Sequence, residues 1–271
     1  MVNLCGHTHR AASLQAEVGI LCDSIDRGPW NHYFLCLMNN PDRLIKAIIY
    51  LNAGMYIISV LLSPRGPNFS RNPLTFLSPG SQSLLVFGAT GTIPIDQLNR
   101  WWTLLTANYL HGGILHLLFN MLAFRQIAPL ITHEYNISRM FIIYTLGGIA
   151  GFGISYLAGV EFTIGSSAAV CSLIGAALYF GKSRGGEYGH AVYRQVSGWV
   201  IGIFVFGFLI PGINNWGHAG GMLAGALLGV LLGYREKKRE AGWHRLAARV
   251  LAAITLIVVF YAVVSGWLRQ F

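Results

Sequence analysis

Residues 214 to 233 read NNWGHAGGMLAGALLGVLLG. After Trp216 the stretch is almost wholly apolar, yet it holds one imidazole, His218, and places glycine at 217, 221, 225, 229 and 233. A helix needs about 20 apolar residues to cross the hydrocarbon core of a bilayer. Glycines four apart share one face of a helix, and a bare face lets a neighbouring backbone approach closely. The stretch therefore predicts a membrane-spanning helix with a histidine at its mouth and one side built for tight packing.

The rest of the chain agrees with that environment. Of its 271 residues 54% are hydrophobic and only 11% charged, well below the roughly 25% charged of an average soluble domain. Seven segments are expected to span the membrane, at about 44–63, 112–131, 139–158, 165–181, 195–210, 217–233 and 249–267, giving an all-α polytopic membrane protein. Nothing before residue 44 resembles the apolar core of a cleavable signal, so the first span is expected to remain in the mature protein. The net charge of +9 does not point to nucleic acid. With the N-terminus cytoplasmic, fifteen of the nineteen Lys and Arg residues fall on the inner side, leaving Arg65, Arg71, Arg100 and Arg269 outside. That is a positive-inside bias, densest in YREKKRE directly after the glycine-laddered helix, which therefore runs from outside to inside.

Four stretches follow. Residues 1–43 form a more polar cytoplasmic segment with Cys5, Cys22 and Cys36 beside His7, His9 and His32. A reducing compartment disfavours disulfides there, and the spacing of Cys5, His7, His9 and Cys22 fits no zinc-finger pattern, so no metal is expected. Residues 64–111 form a long outer loop, first rich in Pro, Gly and Ser, then apolar in SLLVFGATGTIPI, which is expected to dip into the membrane interface. A loop of that length usually serves function. Residues 112–233 hold five central helices, and 234–271 a basic linker and a seventh spanning helix.

Three polar groupings stand inside the spans, where polar side chains are costly and default to a functional reading. HGGILHLLFNM places His111, His116 and Asn120 together, the last two on one helix face. IGSSAAVCSLIGAAL opens the fourth span with Gly165, Ser166, Ser167 and Ala168; the third grouping is His218 itself. Each alone reads as helix packing or a structural hydrogen bond. Together, the assigned topology brings His116, Ser167 and His218 into the first turns of three helices entering from the same leaflet, with Asn120 about one turn deeper. The chemistry suits acyl transfer. A serine becomes a nucleophile when a neutral imidazole takes its proton, and the Asn120 amide, the His116 imidazole and the Ser167 backbone N–H are donors for an oxyanion. All ten Asp and Glu residues lie outside the expected spans, so the pattern is a Ser–His dyad without a carboxylate member. The stripe of Gly217, Gly221 and Gly225 is expected to pack on the small residues Gly165, Ala168, Ala169, Ser172, Gly175 and Ala176, with Gly233 beyond the contact and tolerant of a larger side chain.

At these residues the sequence resembles the rhomboid intramembrane serine proteases. HGGILHLLFNM is similar to the family's His-x4-Leu-x2-Asn-Met stretch, NNWGHAGGMLAG to Asn-x2-His-x-Gly-Gly, and GSSA to Gly-x-Ser-x. The resemblance covers roughly 100–233. It implies Ser167, rather than Ser166, as nucleophile, His218 as base, and His116 and Asn120 as oxyanion or supporting residues. It also implies a rhomboid-like six-helix core over 44–233 plus one C-terminal transmembrane helix, and cleavage of the transmembrane segments of other membrane proteins in the lipid bilayer without a cofactor. The chain departs from the pattern in four places. Thr103 stands where the family's Trp-Arg pair would put arginine, with Arg100 nearby; Ala168 and Ser172 replace usual glycines; and Cys171 replaces an aromatic residue.

Two other classes fit less well. An inactive rhomboid-like protein that binds clients usually lacks the serine or the histidine, and both are present. A transporter would be expected to show an intramembrane carboxylate or an inverted repeat. The simple architecture suggests a bacterial inner membrane.

Overall fold

The computed structural model describes residues 40–270, save 65, 67, 73 and 74. The N-terminal Cys and His residues and most of the expected cytoplasmic segment lie outside the described residues. The chain divides into units 1–44 and 45–271, and the fold below is that of the second.

Among the described residues seven helices are eighteen residues or longer: α1 (Pro41–Leu61), α4 (Ile114–Tyr135), α5 (Ile137–Leu157), α6 (Ser167–Arg184), α7 (Gly186–Leu209), α8 (Asn215–Leu232) and α9 (Gly242–Gln270). Each overlaps one of the seven expected spans. The only strands among those residues are β1 (Asn68–Phe69) and β2 (Phe76–Ser78), a short antiparallel pair. The protein is thus an all-α polytopic membrane protein.

Five of the seven, all but α6 and α8, are long and apolar enough to cross a membrane by length and composition. The two exceptions carry Ser167 and His218, and glycine and polar residues dilute their hydropathy. Their company explains how they are accommodated: α6 packs against α4, α5, α7 and α8, and α8 packs mainly on α5 and α6. Residues 168–177 of α6 are buried without interruption.

Two helix starts differ from expectation. α7 begins at Gly186 rather than 195, and α9 at Gly242 rather than 249. In each the extra turns are amphipathic. On α7, Gly189 and Val192 are buried while Glu187, His190 and Arg194 are exposed, so a search for continuous apolar sequence misses them.

The outer loop is more structured than its sequence suggests. It folds into the β1–β2 hairpin, α2 (Ser81–Phe87), a π-helical turn at Ile93–Gln97, α3 (Thr103–Thr106) and a 3-10 turn at Ala107–Tyr109. Its apolar residues Leu84, Phe87, Ile95, Leu105 and Leu110 are buried, and α9 covers α2 and α3. Trp102 meets Tyr261 of α9 edge-on with ring centroids 5.4 Å apart. Packing against helices, rather than local propensity, holds this segment.

The α6–α8 contact is made at the level of backbone. A Cβ added at Gly221 would collide with the Ala168 carbonyl oxygen, and one at Gly225 with that of Ser172. Gly229 lies over the Ala176 Cα, which an added Cβ would approach to 3.4 Å. The favour is returned by Gly175 of α6, which lies under the Met222 carbonyl. Gly217 faces α5 instead, against Ser155.

Gly233 differs from expectation. It caps α8 at φ 70°, beside the Lys238 side chain, and its carbonyl accepts from buried Arg139. A side chain there is strained whatever the space. The neutral comparison is Gly202 on α7, which has open space around it. Gly221→Leu and Gly225→Leu should each destabilise the fold by about 1–3 kcal/mol or more through overpacking, while Gly202→Leu leaves the unfolding midpoint unchanged. Thermal unfolding in detergent micelles checks this; an unaltered midpoint for Gly225→Leu would contradict the contact.

Candidate active site

Three helices begin at one end of the bundle, and each brings one group. α6 starts at Ser167, at the end of a turn in which Gly165 adopts φ 122° and its N–H donates to the Ala107 carbonyl at 2.9 Å. α8 starts at Asn215 and offers His218 within its first turn. α4 starts at Ile114 and offers His116.

His218 Nε2 lies 2.9 Å from Ser167 Oγ. This is the distance at which an imidazole takes a hydroxyl proton. His218 is 8% exposed, and its Nδ1 has no hydrogen-bond partner among the described residues. Among the described residues the one carboxylate buried in a long helix, Glu134, sits at the other end of α4, about 27 Å below His116 by helical rise. There it accepts from the Tyr188 hydroxyl at 2.8 Å. Among the described residues, therefore, no carboxylate bonds the His218 ring.

His116 Nδ1 accepts the Gly112 N–H at 3.3 Å, which leaves the ring proton on Nε2. A Cβ added at Gly165 would sit 2.7 Å from that Nε2 and 3.7 Å from Ser167 Oγ. The missing side chain thus lets the Gly165 backbone lie close against the His116 imidazole, next to the serine oxygen, where a Cβ would collide with the ring. Asn120 is buried and gives one amide N–H to the His116 carbonyl of its own helix at 2.9 Å, keeping the second N–H free for another acceptor.

Asn214 is the residue that the sequence reading passed over. Its Oδ1 accepts the Gly217 N–H at 2.9 Å, capping α8. Its Nδ2 donates to Ser155 Oγ at 2.7 Å and to Thr163 Oγ1 at 2.9 Å. One side chain thus joins the helix that bears His218 to α5 and to the loop that leads into Ser167. An Asn just ahead of a helix is the available signal. That same loop is held from the other side, where Thr90 and Thr163 exchange backbone hydrogen bonds at 3.0 and 2.7 Å.

The four departures from the family pattern have local accommodation in three cases. Ala168 and Ser172 are admitted because α5 has glycine opposite each, Gly151 and Gly147. The Ser172 hydroxyl shares its proton between the Ile143 and Ala169 carbonyls at 2.8 and 2.7 Å. Thr103 is buried and bonds Thr90 Oγ1 at 3.0 Å, while Arg100 donates to the Leu85 carbonyl at 3.0 Å. Cys171 is buried as a free thiol, and nothing in its surroundings explains the change.

The Ser167–His218 contact is part-buried and lies where two tightly packed helices of this polytopic membrane protein begin. Residues 98–235 match the Rhomboid domain family model. The chain belongs to the rhomboid family. It is 31% identical over 188 residues to the rhomboid protease GluP of Bacillus subtilis (strain 168), a match covering 69% of this chain and 37% of that protein. It is also 33% identical over 181 residues to RHOMBOID-like protein 4 of Arabidopsis thaliana, covering 65% and 44%. RHOMBOID-like protein 6, mitochondrial, of the same plant is 32% identical over 184 residues, covering 65% and 58%. The chain thus spans between 37% and 58% of the length of these relatives.

Asn214→Ala removes the α8 cap and should cost about 0.5–2 kcal/mol for that bond alone. Asn214→Ser restores the cap without the two cross-links and should lie between. Thermal unfolding midpoints order the three chains, and equal midpoints would contradict the role given to Asn214.

Proposed function

We propose that the protein is an intramembrane serine protease that cleaves transmembrane segments of other membrane proteins with a Ser167–His218 dyad. The observation that carries this reading is the 2.9 Å contact between Ser167 Oγ and His218 Nε2, with the His116 ring close to Gly165 beside it. Membership of the rhomboid family supports the same class of reaction.

In this reading Ser167 Oγ attacks the scissile carbonyl carbon as its proton passes to His218 Nε2. The carbonyl π electrons move to oxygen, which becomes the oxyanion. In this reading His116 Nε2–H is the donor beside it, with the second Asn120 amide N–H and the Ser167 N–H at the start of α6 as further donors. Removing one such donor typically costs about 100- to 1,000-fold in rate. The imidazolium then returns its proton to the leaving amine nitrogen, the C–N bond breaks, and an acyl ester on Ser167 remains. Water attacks that ester with His218 again taking the proton; the imidazolium returns it to Ser167 Oγ as the ester C–O bond breaks, and the second product leaves as a carboxylic acid.

The charge distribution sets the orientation we propose. The basic linker after α8, including Arg235, Lys237 and Arg239, lies on the cytoplasmic side, and the dyad opens toward the opposite leaflet.

The test is cleavage of a fluorogenic single-span transmembrane peptide by the purified chain in bilayer nanodiscs. Ser167→Ala and His218→Ala should each abolish turnover, whereas Ser166→Ala still cleaves. No single Asp→Asn or Glu→Gln change should match the loss in His218→Ala, because no carboxylate supports the imidazole. Full turnover by Ser167→Ala would overturn the nucleophile, and a carboxylate variant as dead as His218→Ala would reinstate a triad.

A further inference from the structure

A second serine–histidine contact lies beside the first. His111 Nε2 is 3.3 Å from Ser166 Oγ. Both residues are completely buried. Ser166 directly precedes the proposed nucleophile and occupies the N-cap of α6, yet its side chain makes no capping hydrogen bond. A serine at that position ordinarily turns its oxygen onto the N–H groups of the first helical turn; here the hydroxyl is turned across to the outer-loop residue His111 instead.

What His111 touches gives the contact its meaning. Its ring meets that of His116 edge-on, with centroids 5.1 Å apart. Between the two histidines the chain turns through Gly112, whose N–H is held by His116 Nδ1 at 3.3 Å. Two constraints therefore act on His116. The Gly112 N–H selects the tautomer, with the proton on Nε2, and the His111 edge limits rotation of the ring. His111 can do this only if its own ring is fixed, and the Ser166 hydroxyl is the polar partner that fixes it. Its Nδ1 has no partner among the described residues.

We propose that Ser166 and His111 are positioning residues, which link the N-terminus of α6 to His116 so that the nucleophile and its oxyanion donor move as one body. The proposal rests on the protease reading, in which His116 Nε2–H faces the oxyanion. Ser166 then has a role distinct from that of Ser167. It supplies no proton and forms no bond to substrate; it sets the distance between two groups that do act. Such a contribution is smaller than that of a donor removed outright, because the donor remains in place with its aim loosened.

The test uses the full-length chain in nanodiscs, with Ser166→Ala, His111→Gln and the double variant, turnover being normalised to the concentration of folded sites. Each single change should lower kcat on the fluorogenic transmembrane peptide by about 10-fold with KM held within about twofold, the signature of an interaction made in the transition state. The double variant should lose no more than the worse single, since both remove one link. Ser166→Thr, which keeps the hydroxyl, should recover most of the Ser166→Ala loss. Independently of turnover, the His116 imidazole signals in 15N spectra should be sharp in the unaltered chain and broadened by ring motion in Ser166→Ala. Single-variant kcat values within twofold of wild type, losses that multiply in the double variant, or an unchanged His116 spectrum would each overturn the link. An unaltered chain that cleaves nothing while its His116 spectrum still responds to Ser166→Ala would sink the protease reading and leave the link standing.

Discussion

The backbone contact between α6 and α8 is the constraint on which the rest of the structure depends. Gly221 lies over the Ala168 carbonyl, Gly225 over that of Ser172 and Gly229 over Ala176. The steps are four residues on each helix, so the two run parallel in a single register. That register sets Ser167 and His218 side by side, one residue above Ala168 and three above Gly221. Ordinary side chains between two helices keep their axes 8–10 Å apart. With glycine on one side and small residues on the other, a serine of one carbon and one oxygen reaches an imidazole directly. In a bilayer, where lipid competes for apolar surface as well as a neighbouring helix does, close packing of small residues is itself a source of association.

α5 completes the arrangement from behind. Its Gly147, Gly148 and Gly151 lie under Ser172, Asn108 and Gly217 respectively. Those bare positions let α6 carry Ala168 and Ser172 where the family pattern favours glycine. A methyl at 168 and a hydroxymethyl at 172 on α6 each lie against a glycine of α5. Around this trio, Asn214 and the Thr90–Thr163 bridge hold the loop before Ser167, so that Ser167 and His218 are tied to the same frame.

The parts of this fold legible in the sequence are those with a long-range pattern. Apolar length gave the spanning helices, and a four-residue glycine repeat gave the face of α8. The places of Ser167, His218 and His116 near the starts of their helices matched the structure, where the three meet at one end of the bundle. What stayed hidden depends on contacts that leave no periodic mark. The outer loop is ordered by burial of Leu84, Phe87 and Ile95 beneath other elements. The starts of α7 and α9 are amphipathic and so look like loop. Gly233 continues the repeat but terminates the helix in a left-handed turn, so periodicity alone misassigned its tolerance. Ser166 read as the spare member of a serine pair, because its partner His111 is 55 residues away in sequence.

The central claim is that one serine in this bundle is activated by one histidine. Mass-spectrometric mapping of the adduct left by a fluorophosphonate on the membrane-embedded chain tests it without any knowledge of the substrate, since only an activated hydroxyl displaces fluoride at an appreciable rate. The account predicts a single adduct, on Ser167, absent from folded His218→Ala. An adduct on Ser166 or another hydroxyl, or undiminished modification of Ser167 in His218→Ala, would contradict it.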